Sequence, residues 1–305
     1  MQHRAVGCLA FSATSACQSY GHLTSRSFLI HADGGSTLCG QEQGEGFPLL
    51  LLHGGPGLSD YMDLLGSETH GWHTISYQQR GLAPSTTDGP FTVAQHVADT
   101  VAVLNGLGIE RAALLGHSWG CHLALQVVVA HPDRVAGLLL IDPPGPSGDG
   151  GLVELAEELE KRLPANAATR AEAIAARLSG PDPSDADATE SLALRWPGYF
   201  ADPSAAPPLP SDFRVSLVSN GATVGSLFEA LDGTFSQSLG RVDLPAVFVL
   251  GGESPLRPRN GQQAAELMPD AEVVIVAGAG HLPWVEAPGC VASALSRLKQ
   301  KLPRT

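Results

Sequence analysis

The sequence is short of charged residues and lacks any long apolar run, and both features exclude classes of protein. No stretch reaches the roughly 18 uninterrupted apolar residues that a membrane-spanning helix needs. Only 18 basic residues stand against 31 acidic ones, and the formal net charge of −13 disfavours nucleic acid and anionic membranes as partners. We expect a cytoplasmic protein that acts on a small neutral or cationic molecule. The composition leaves its oligomeric state open.

Cysteine is also scarce. The five cysteines are odd in number and widely scattered, without a C-x-x-C pair. This pattern favours neither a disulfide framework nor a zinc site, and the metalloprotease motif H-E-x-x-H is absent as well. We therefore expect no metal and no cofactor.

The 305 residues, of which 43% are hydrophobic, are enough for one large core with an insertion. We predict an N-terminal extension over residues 1–25 that is disordered or loosely packed. Its short apolar run, Val6 to Phe11, is too broken for an export signal. The core is predicted over residues 26–142 and 243–305, and an inserted helical cap over residues 143–242.

Within the predicted core, short apolar runs alternate with helical patterns, which is typical of an α/β fold. We predict a mostly parallel, eight-stranded sheet with helices on both faces. Thr92 to Gln95 forms a T-x-x-Q capping box that predicts the start of one helix, and the last helix is predicted over Ala287 to Lys301. Runs such as Leu49 to Leu52 are apolar at every position, as strands buried on both faces require. The predicted strands are Phe28–His31, Thr37–Gln41, Leu49–Leu52, Thr74–Tyr77, Ala112–Leu115, Gly137–Ile141, Ala246–Leu250 and Glu272–Val276.

The strongest chemical signal is the segment Gly116-His117-Ser118-Trp119-Gly120, a G-x-S-x-G directly after an apolar strand and directly before a predicted helix. A serine there lies on a strained strand-to-helix turn, and its flanking glycines allow the backbone to pass closely. The helix N-terminus directs free N–H groups at developing negative charge. We predict Ser118 as a nucleophile.

These residues resemble the α/β-hydrolase family. His53-Gly54-Gly55-Pro56-Gly57 follows a predicted strand and is similar to the family's oxyanion-hole turn. The resemblance implies that the N–H groups of Trp119 and of Gly55 or its neighbour hold the oxyanion. His53 and Gly54 are candidates for the substrate pocket.

The predicted base is His281, in Gly278-Ala279-Gly280-His281 just beyond the last strand, where this family keeps its base. Its imidazole would take the proton of Ser118 and return it to the leaving group. Tyr77-Gln78-Gln79-Arg80-Gly81 and the glycine-rich turn narrow the resemblance to proline iminopeptidase-like hydrolases. That family has Asp where Gln78 stands, and we interpret Arg80 as a structural anchor of its turn.

The acid of the triad is not where the family usually has it. In the loop after the strand Ala246–Leu250, Ser254 occupies the expected Asp position. Two candidates are open: Asp142, after the strand that follows the nucleophile helix, and Glu253, one residue before Ser254. We favour Asp142, because some α/β-hydrolases place the acid after that strand and the order nucleophile, acid, base is preserved.

Together these features predict a serine hydrolase that cleaves an ester or amide of a small, partly apolar substrate. Three cap aromatics, Trp196, Tyr199 and Phe200, are candidates for lining its pocket. Acyltransferase and aminopeptidase activity on the same triad stay open, as does a receptor-like protein with weak turnover. The serine argues against epoxide hydrolases and dehalogenases, which need an Asp nucleophile.

Overall fold

A computed structural model describes residues 25–231 and 233–303. The predicted extension over residues 1–25 lies almost wholly outside these ranges. Within them no helix combines the length and the apolar character needed to cross a bilayer.

In the described ranges eight strands form one sheet, as the sequence predicted, and each predicted run lies within a strand. The order across the sheet is β1-β2-β4-β3-β5-β6-β7-β8. The pairs β1–β2 and β2–β4 are antiparallel, and all others are parallel. The strands are β1 Arg26–His31, β2 Thr37–Gln43, β3 Phe47–Leu52, β4 Trp72–Tyr77, β5 Ala112–His117, β6 Val135–Ile141, β7 Ala246–Gly251 and β8 Ala271–Val276.

The helices of the described ranges follow the predicted patterns with small shifts at their ends. At the start of the first helix, the Thr92 hydroxyl accepts a hydrogen bond from the N–H of Gln95, as the capping box predicted. The last helix starts at Cys290 rather than at the predicted Ala287, because Pro288 and a left-handed Gly289 precede it. The helices are α1 Val93–Gly106, α2 Trp119–Ala130, α3 Leu152–Lys161, α4 Ala168–Leu178, α5 Asp185–Arg195, α6 Leu217–Ala230, α7 Gly233–Leu239, α8 Pro258–Leu267, α9 Pro283–Glu286 and α10 Cys290–Lys301.

The central strands bury both faces, which explains why they are apolar throughout. Successive side chains of a strand point to opposite faces. Leu50 and Leu52 of β3 pack in a core with α1, α2, α7 and α8, whereas Leu49 and Leu51 pack in a second core with α10. Because β3, β5, β6 and β7 are parallel, their carboxyl ends lie side by side, and the loops that follow them meet there.

The segment between β6 and β7 contains α3 to α7 in its described part. Its last two helices join the core of the sheet through Leu227 and Phe235. Next to α6, Ser216 donates its N–H to the carbonyl of Gly57 at 2.8 Å, and the Asn220 amide donates to the carbonyl of Pro56 at 2.7 Å. The C-terminal part of the predicted cap is thus fastened to the glycine-rich turn.

Candidate active site

Ser118 lies on a sharp turn between β5 and α2. Its φ of 54° and ψ of −122° are a backbone conformation that non-glycine residues rarely adopt. The Ser118 N–H donates to the Ile141 carbonyl at 2.9 Å, which fixes the turn to the end of β6. A Cβ on Gly116 would lie 2.5 Å from the Cys121 nitrogen, and one on Gly120 would collide with the Leu52 carbonyl. The two glycines are therefore required by close backbone packing.

The glycine-rich turn lies beside the serine. A Cβ on Gly54 would lie 3.1 Å from the Ser118 Cβ. The N–H of Gly54 donates to the Tyr61 hydroxyl at 3.0 Å. In the described part of the chain, the N–H groups of Gly55 and Trp119 have no hydrogen-bond acceptor. Of the turn's candidates, Gly55 is thus the residue with an N–H available to a ligand.

His53, a candidate for the substrate pocket, is fully buried and braces this turn. Its Nδ1 donates to the Gly54 carbonyl at 2.8 Å, and its Nε2 accepts the N–H of Gln79 at 3.2 Å. Burial lowers the pKa of His53, which keeps the ring neutral and suited to this donor and acceptor pattern.

His281 meets the carboxylate of Asp142. Its Nδ1 donates to Asp142 Oδ2 at 3.1 Å, and both side chains are buried. The other carboxylate oxygen, Oδ1, accepts the N–H of Gly251 at 2.9 Å. Because Nδ1 carries the proton in this pair, Nε2 is the free nitrogen of a neutral imidazole.

The backbone of Asp142 has an unusual conformation. Asp142 has a φ of 48°, so Asp142 and Ser118 are two of the three non-glycine residues with positive φ in the described ranges. Such strain concentrates at functional sites. Among the described residues, the Ser118 hydroxyl and His281 are not hydrogen-bonded to each other. Hydrogen bonds between catalytic groups are often long in ligand-free enzymes.

Glu253, the alternative acid, is exposed and its backbone, not its carboxylate, holds the loop. Its N–H donates to the Ala279 carbonyl at 2.9 Å, and its carbonyl accepts from Arg162 at 3.0 Å. The next residue, Ser254, is buried instead, and its Oγ lies 3.4 Å from His281 Nδ1. The geometry brings Asp142 and Ser254 to the imidazole and leaves Glu253 outside.

Of the three aromatics proposed for the pocket, Tyr199 lies closest to the predicted chemistry. Its ring centroid is 5.4 Å from that of His281, and its carbonyl accepts the N–H of His281 at 2.7 Å. Burial raises the pKa of its hydroxyl to about 12. Trp196 and Phe200 pack against each other with centroids 5.1 Å apart, and both are buried in the second core.

The segment around Arg80 has a structural role. Arg80 is buried and forms a two-pronged ion pair with Asp99, at 2.5 and 2.6 Å. Gln78, which replaces the family's Asp, donates its amide to the Leu58 carbonyl at 3.0 Å and accepts the N–H of Asp60 at 2.9 Å. These contacts hold the turn that supports Gln79 and His53.

Sequence reasoning missed Tyr61 and the contacts of His117. The Tyr61 hydroxyl lies 2.6 Å from Nδ1 of His117, the residue before Ser118. The local signals are that Tyr61 follows the glycine-rich turn by four residues and that His117 is the first of the two variable residues of G-x-S-x-G. Their contact depends on the packing of β5 against the loop after β3.

Comparison with known proteins gives matches in sequence and in fold. A model of the α/β-hydrolase fold family matches residues 48–288. The chain is 34% identical over 111 residues to the 2-hydroxymuconate semialdehyde hydrolase of Pseudomonas putida, a match that covers 35% of this chain and only 40% of that relative. It is 28% identical over 261 residues to the proline iminopeptidase of Lactobacillus delbrueckii subsp. lactis, covering 78% of this chain and 85% of the relative.

The fold has close structural parallels as well. The crystal structure of proline iminopeptidase from Mycobacterium smegmatis superposes with a TM-score of 0.64 at 22% identity, covering 90% of this chain and 98% of that one. The resemblance to proline iminopeptidase-like hydrolases that the sequence motifs predicted is thereby confirmed. The chain belongs to the α/β-hydrolase fold family.

Proposed function

We propose that this protein is a serine hydrolase that cleaves an ester or amide of a small, partly apolar substrate through an acyl-Ser118 intermediate. The observation that carries the proposal is the buried contact of His281 Nδ1 with Asp142 Oδ2 at 3.1 Å, beside a serine with φ of 54°. Nucleophile, base and orienting acid are thus supplied by three loops at one edge of the sheet.

In the proposed first step, Ser118 Oγ attacks the substrate carbonyl carbon while His281 Nε2 takes the hydroxyl proton. The carbonyl oxygen becomes an oxyanion, to which the N–H groups of Gly55 and Trp119 donate. When the tetrahedral intermediate collapses, the bond to the leaving group breaks and His281 returns the proton to that group. Water then attacks the acyl-serine by the same path and releases the acid.

Asp142 supports this cycle in two ways. It accepts the Nδ1 proton and so holds the tautomer in which Nε2 is the base. Its negative charge also stabilises the imidazolium that forms in each half-reaction. The Gly251 N–H, bound to the second carboxylate oxygen, keeps the carboxylate from rotating away.

The preference for a small, partly apolar substrate is supported by the surroundings. The rings of Tyr61 and Tyr199 lie near the histidines of the site, and Phe213 lies 6.1 Å from the Tyr61 ring. The net charge of −13 favours neutral or cationic substrates over anions.

The test is covalent labelling with a fluorophosphonate probe, followed by peptide mapping. We expect the wild type to be labelled at Ser118 and the Ser118→Ala variant to stay unlabelled. On short-chain p-nitrophenyl esters we expect steady turnover that Ser118→Ala abolishes. An unlabelled wild type, or tight ligand binding without turnover as a receptor would show, contradicts the proposal.

Aminopeptidase activity is a second candidate, favoured by the match to the Lactobacillus enzyme over 78% of this chain. Gln78 in place of the family's Asp argues against it. Turnover of prolyl p-nitroanilide well above that of acyl esters would establish this alternative. Acyl transfer is distinguished by mass analysis of the products formed with added alcohols.

A further inference from the structure

A continuous set of hydrogen bonds crosses the site beneath the nucleophile. The N–H of Gly54 donates to the Tyr61 hydroxyl at 3.0 Å, which lies 2.6 Å from His117 Nδ1. On the other side of the ring, His117 Nε2 lies 2.8 Å from the carbonyl oxygen of His281. We call Tyr61 and His117 the bridge. It joins the backbone of the glycine-rich turn to the backbone of the base.

The position of each proton in the bridge follows from its partners. A carbonyl oxygen only accepts, so His117 Nε2 carries a proton and donates a hydrogen bond to the His281 carbonyl. In the neutral ring Nδ1 is then an acceptor, and the Tyr61 hydroxyl donates to it. The Tyr61 oxygen remains free to accept the Gly54 N–H. Each polar atom of the bridge is therefore satisfied only when His117 is neutral and in this tautomer.

Packing around the bridge favours that neutral state. Both side chains are buried, and their rings meet edge to face with centroids 5.6 Å apart. The His117 ring also packs on His281 at 4.6 Å and on Trp284 at 4.9 Å. Burial and the neighbouring His281 lower the pKa of His117 well below its ordinary value of 6.5.

We propose that Tyr61 and His117 are positioning residues that set the distance between the oxyanion donors and the base. This proposal rests on the proposed function, because the proposed function assigns Gly55 and His281 their roles. By binding the Gly54 N–H, Tyr61 fixes the peptide next to the Gly55 donor. By binding the His281 carbonyl, His117 fixes the backbone that carries the imidazole. A misplacement of about 1 Å in such a site can cost on the order of a hundredfold in rate.

The first test is Tyr61→Phe, which keeps the ring and its packing but removes the hydroxyl. Gly54 and His117 then lose their shared partner, and we expect kcat to fall about ten- to a hundredfold while KM changes little. The matched control is Tyr77→Phe. Tyr77 is also buried, but in the other core, and its hydroxyl lies 2.9 Å from that of Thr100. We expect this control to lose stability without a loss of kcat.

The second test compares His117→Gln with His117→Leu. Glutamine carries an accepting oxygen and a donating nitrogen bonded to one carbon, as the accepting and donating nitrogens of the neutral imidazole are, whereas leucine offers neither. We expect glutamine to retain most of the kcat that leucine loses, at comparable thermal stability. This pair also serves if Tyr61→Phe does not fold.

Nitrogen NMR of the His117 ring gives a readout that is independent of turnover. We expect the proton on Nε2, a hydrogen-bonded Nδ1 and no titration of the ring between about pH 8 and about pH 5. A proton on Nδ1 would overturn the proposal, as would a Tyr61→Phe enzyme with the kcat of the wild type. If the wild type shows no Ser118-dependent turnover, the failure lies with the proposed function, and the Ser118→Ala comparison identifies it.

Discussion

The loops after β6 and β7 reach the same imidazole from two neighbouring strands, and they bring different groups to it. The first places the carboxylate of Asp142 at 3.1 Å from His281 Nδ1, and the second places the hydroxyl of Ser254 at 3.4 Å. The two strands are paired in parallel, so their carboxyl ends lie side by side. Both loops therefore reach His281, which lies beyond β8.

The difference teaches that position in the fold, rather than position in the chain, decides which carboxylate contacts His281. In the later loop, the carboxylate of Glu253 is exposed while Ser254 turns inward. In the earlier loop, a positive φ turns Asp142 toward the site, and the Gly251 N–H holds it there. A hydroxyl cannot balance the charge of an imidazolium, so the two loops are not equivalent chemically.

Replacing Asp142 gives the largest expected effect. Asp142→Asn keeps the shape but removes the charge, and its amide favours the wrong imidazole tautomer. We expect kcat/KM on the ester panel to fall about a thousandfold or more, since Asp→Asn in a serine-protease triad costs about 10⁴. Glu253→Gln is the matched control and is expected to stay near the wild type. The reverse ranking would move the acid to the later loop.

Moving the acid between the loops sharpens the comparison. In an Asp142→Asn background, Ser254→Asp places a carboxylate where Ser254 Oγ now lies beside His281 Nδ1. We expect the double variant to recover about tenfold or more of the rate lost by Asp142→Asn, because neighbouring sites are coupled. The uncharged double variant, with Ser254→Asn, is the control. Equal rates for both double variants would show that the later loop cannot carry the acid.

Adding Ser254→Asp to the wild type makes both loops acidic. A second carboxylate near the imidazole favours its charged form. We expect the acidic limb of the kcat/KM profile to move to higher pH by up to about one unit. The rate at high pH should change less than about tenfold. A limb that stays in place or moves to lower pH would mean that the new carboxylate points away from His281.

The smallest effect is expected from Ser254→Ala. The Ser254 hydroxyl accepts the N–H of Leu256 at 3.2 Å, and its contact with His281 is the longer of the two at Nδ1. Losing one such bond costs about 0.5–1.5 kcal/mol in free energy of unfolding. Urea unfolding measures this, and turnover should fall less than about fivefold. A loss as large as that of Asp142→Asn would make the two loops equal partners of the base.

Much of this architecture could be predicted from the residues alone. All eight strands were predicted because a buried parallel strand is apolar on both faces, as in Leu49 to Leu52. The turn at Ser118 was recognisable because close backbone packing requires its two glycines. Helix ends were less certain, as the late start at Cys290 shows, because a proline and a glycine can be accommodated in more than one way.

The bridge could not be predicted in this way. Tyr61 and His117 are 56 positions apart, and neither belongs to a pattern that requires the other. The buried state of His53 was also not apparent, since a histidine next to a glycine-rich turn can face either a ligand or the interior. Such contacts depend on how separate loops pack, which hydrophobic periodicity does not encode.

The amino-acid sequence by itself predicted the sheet and the serine turn, because each leaves a short pattern of residue types in the chain, and the family resemblance predicted the loop of His281. Only the tertiary structure shows that Asp142, and not Glu253, contacts His281. Both follow strands that end at the same edge, and both carry a carboxylate. The choice depends on which backbone turns its side chain inward, and that turn is stabilised by partners far away in the chain, at Gly251 and His281.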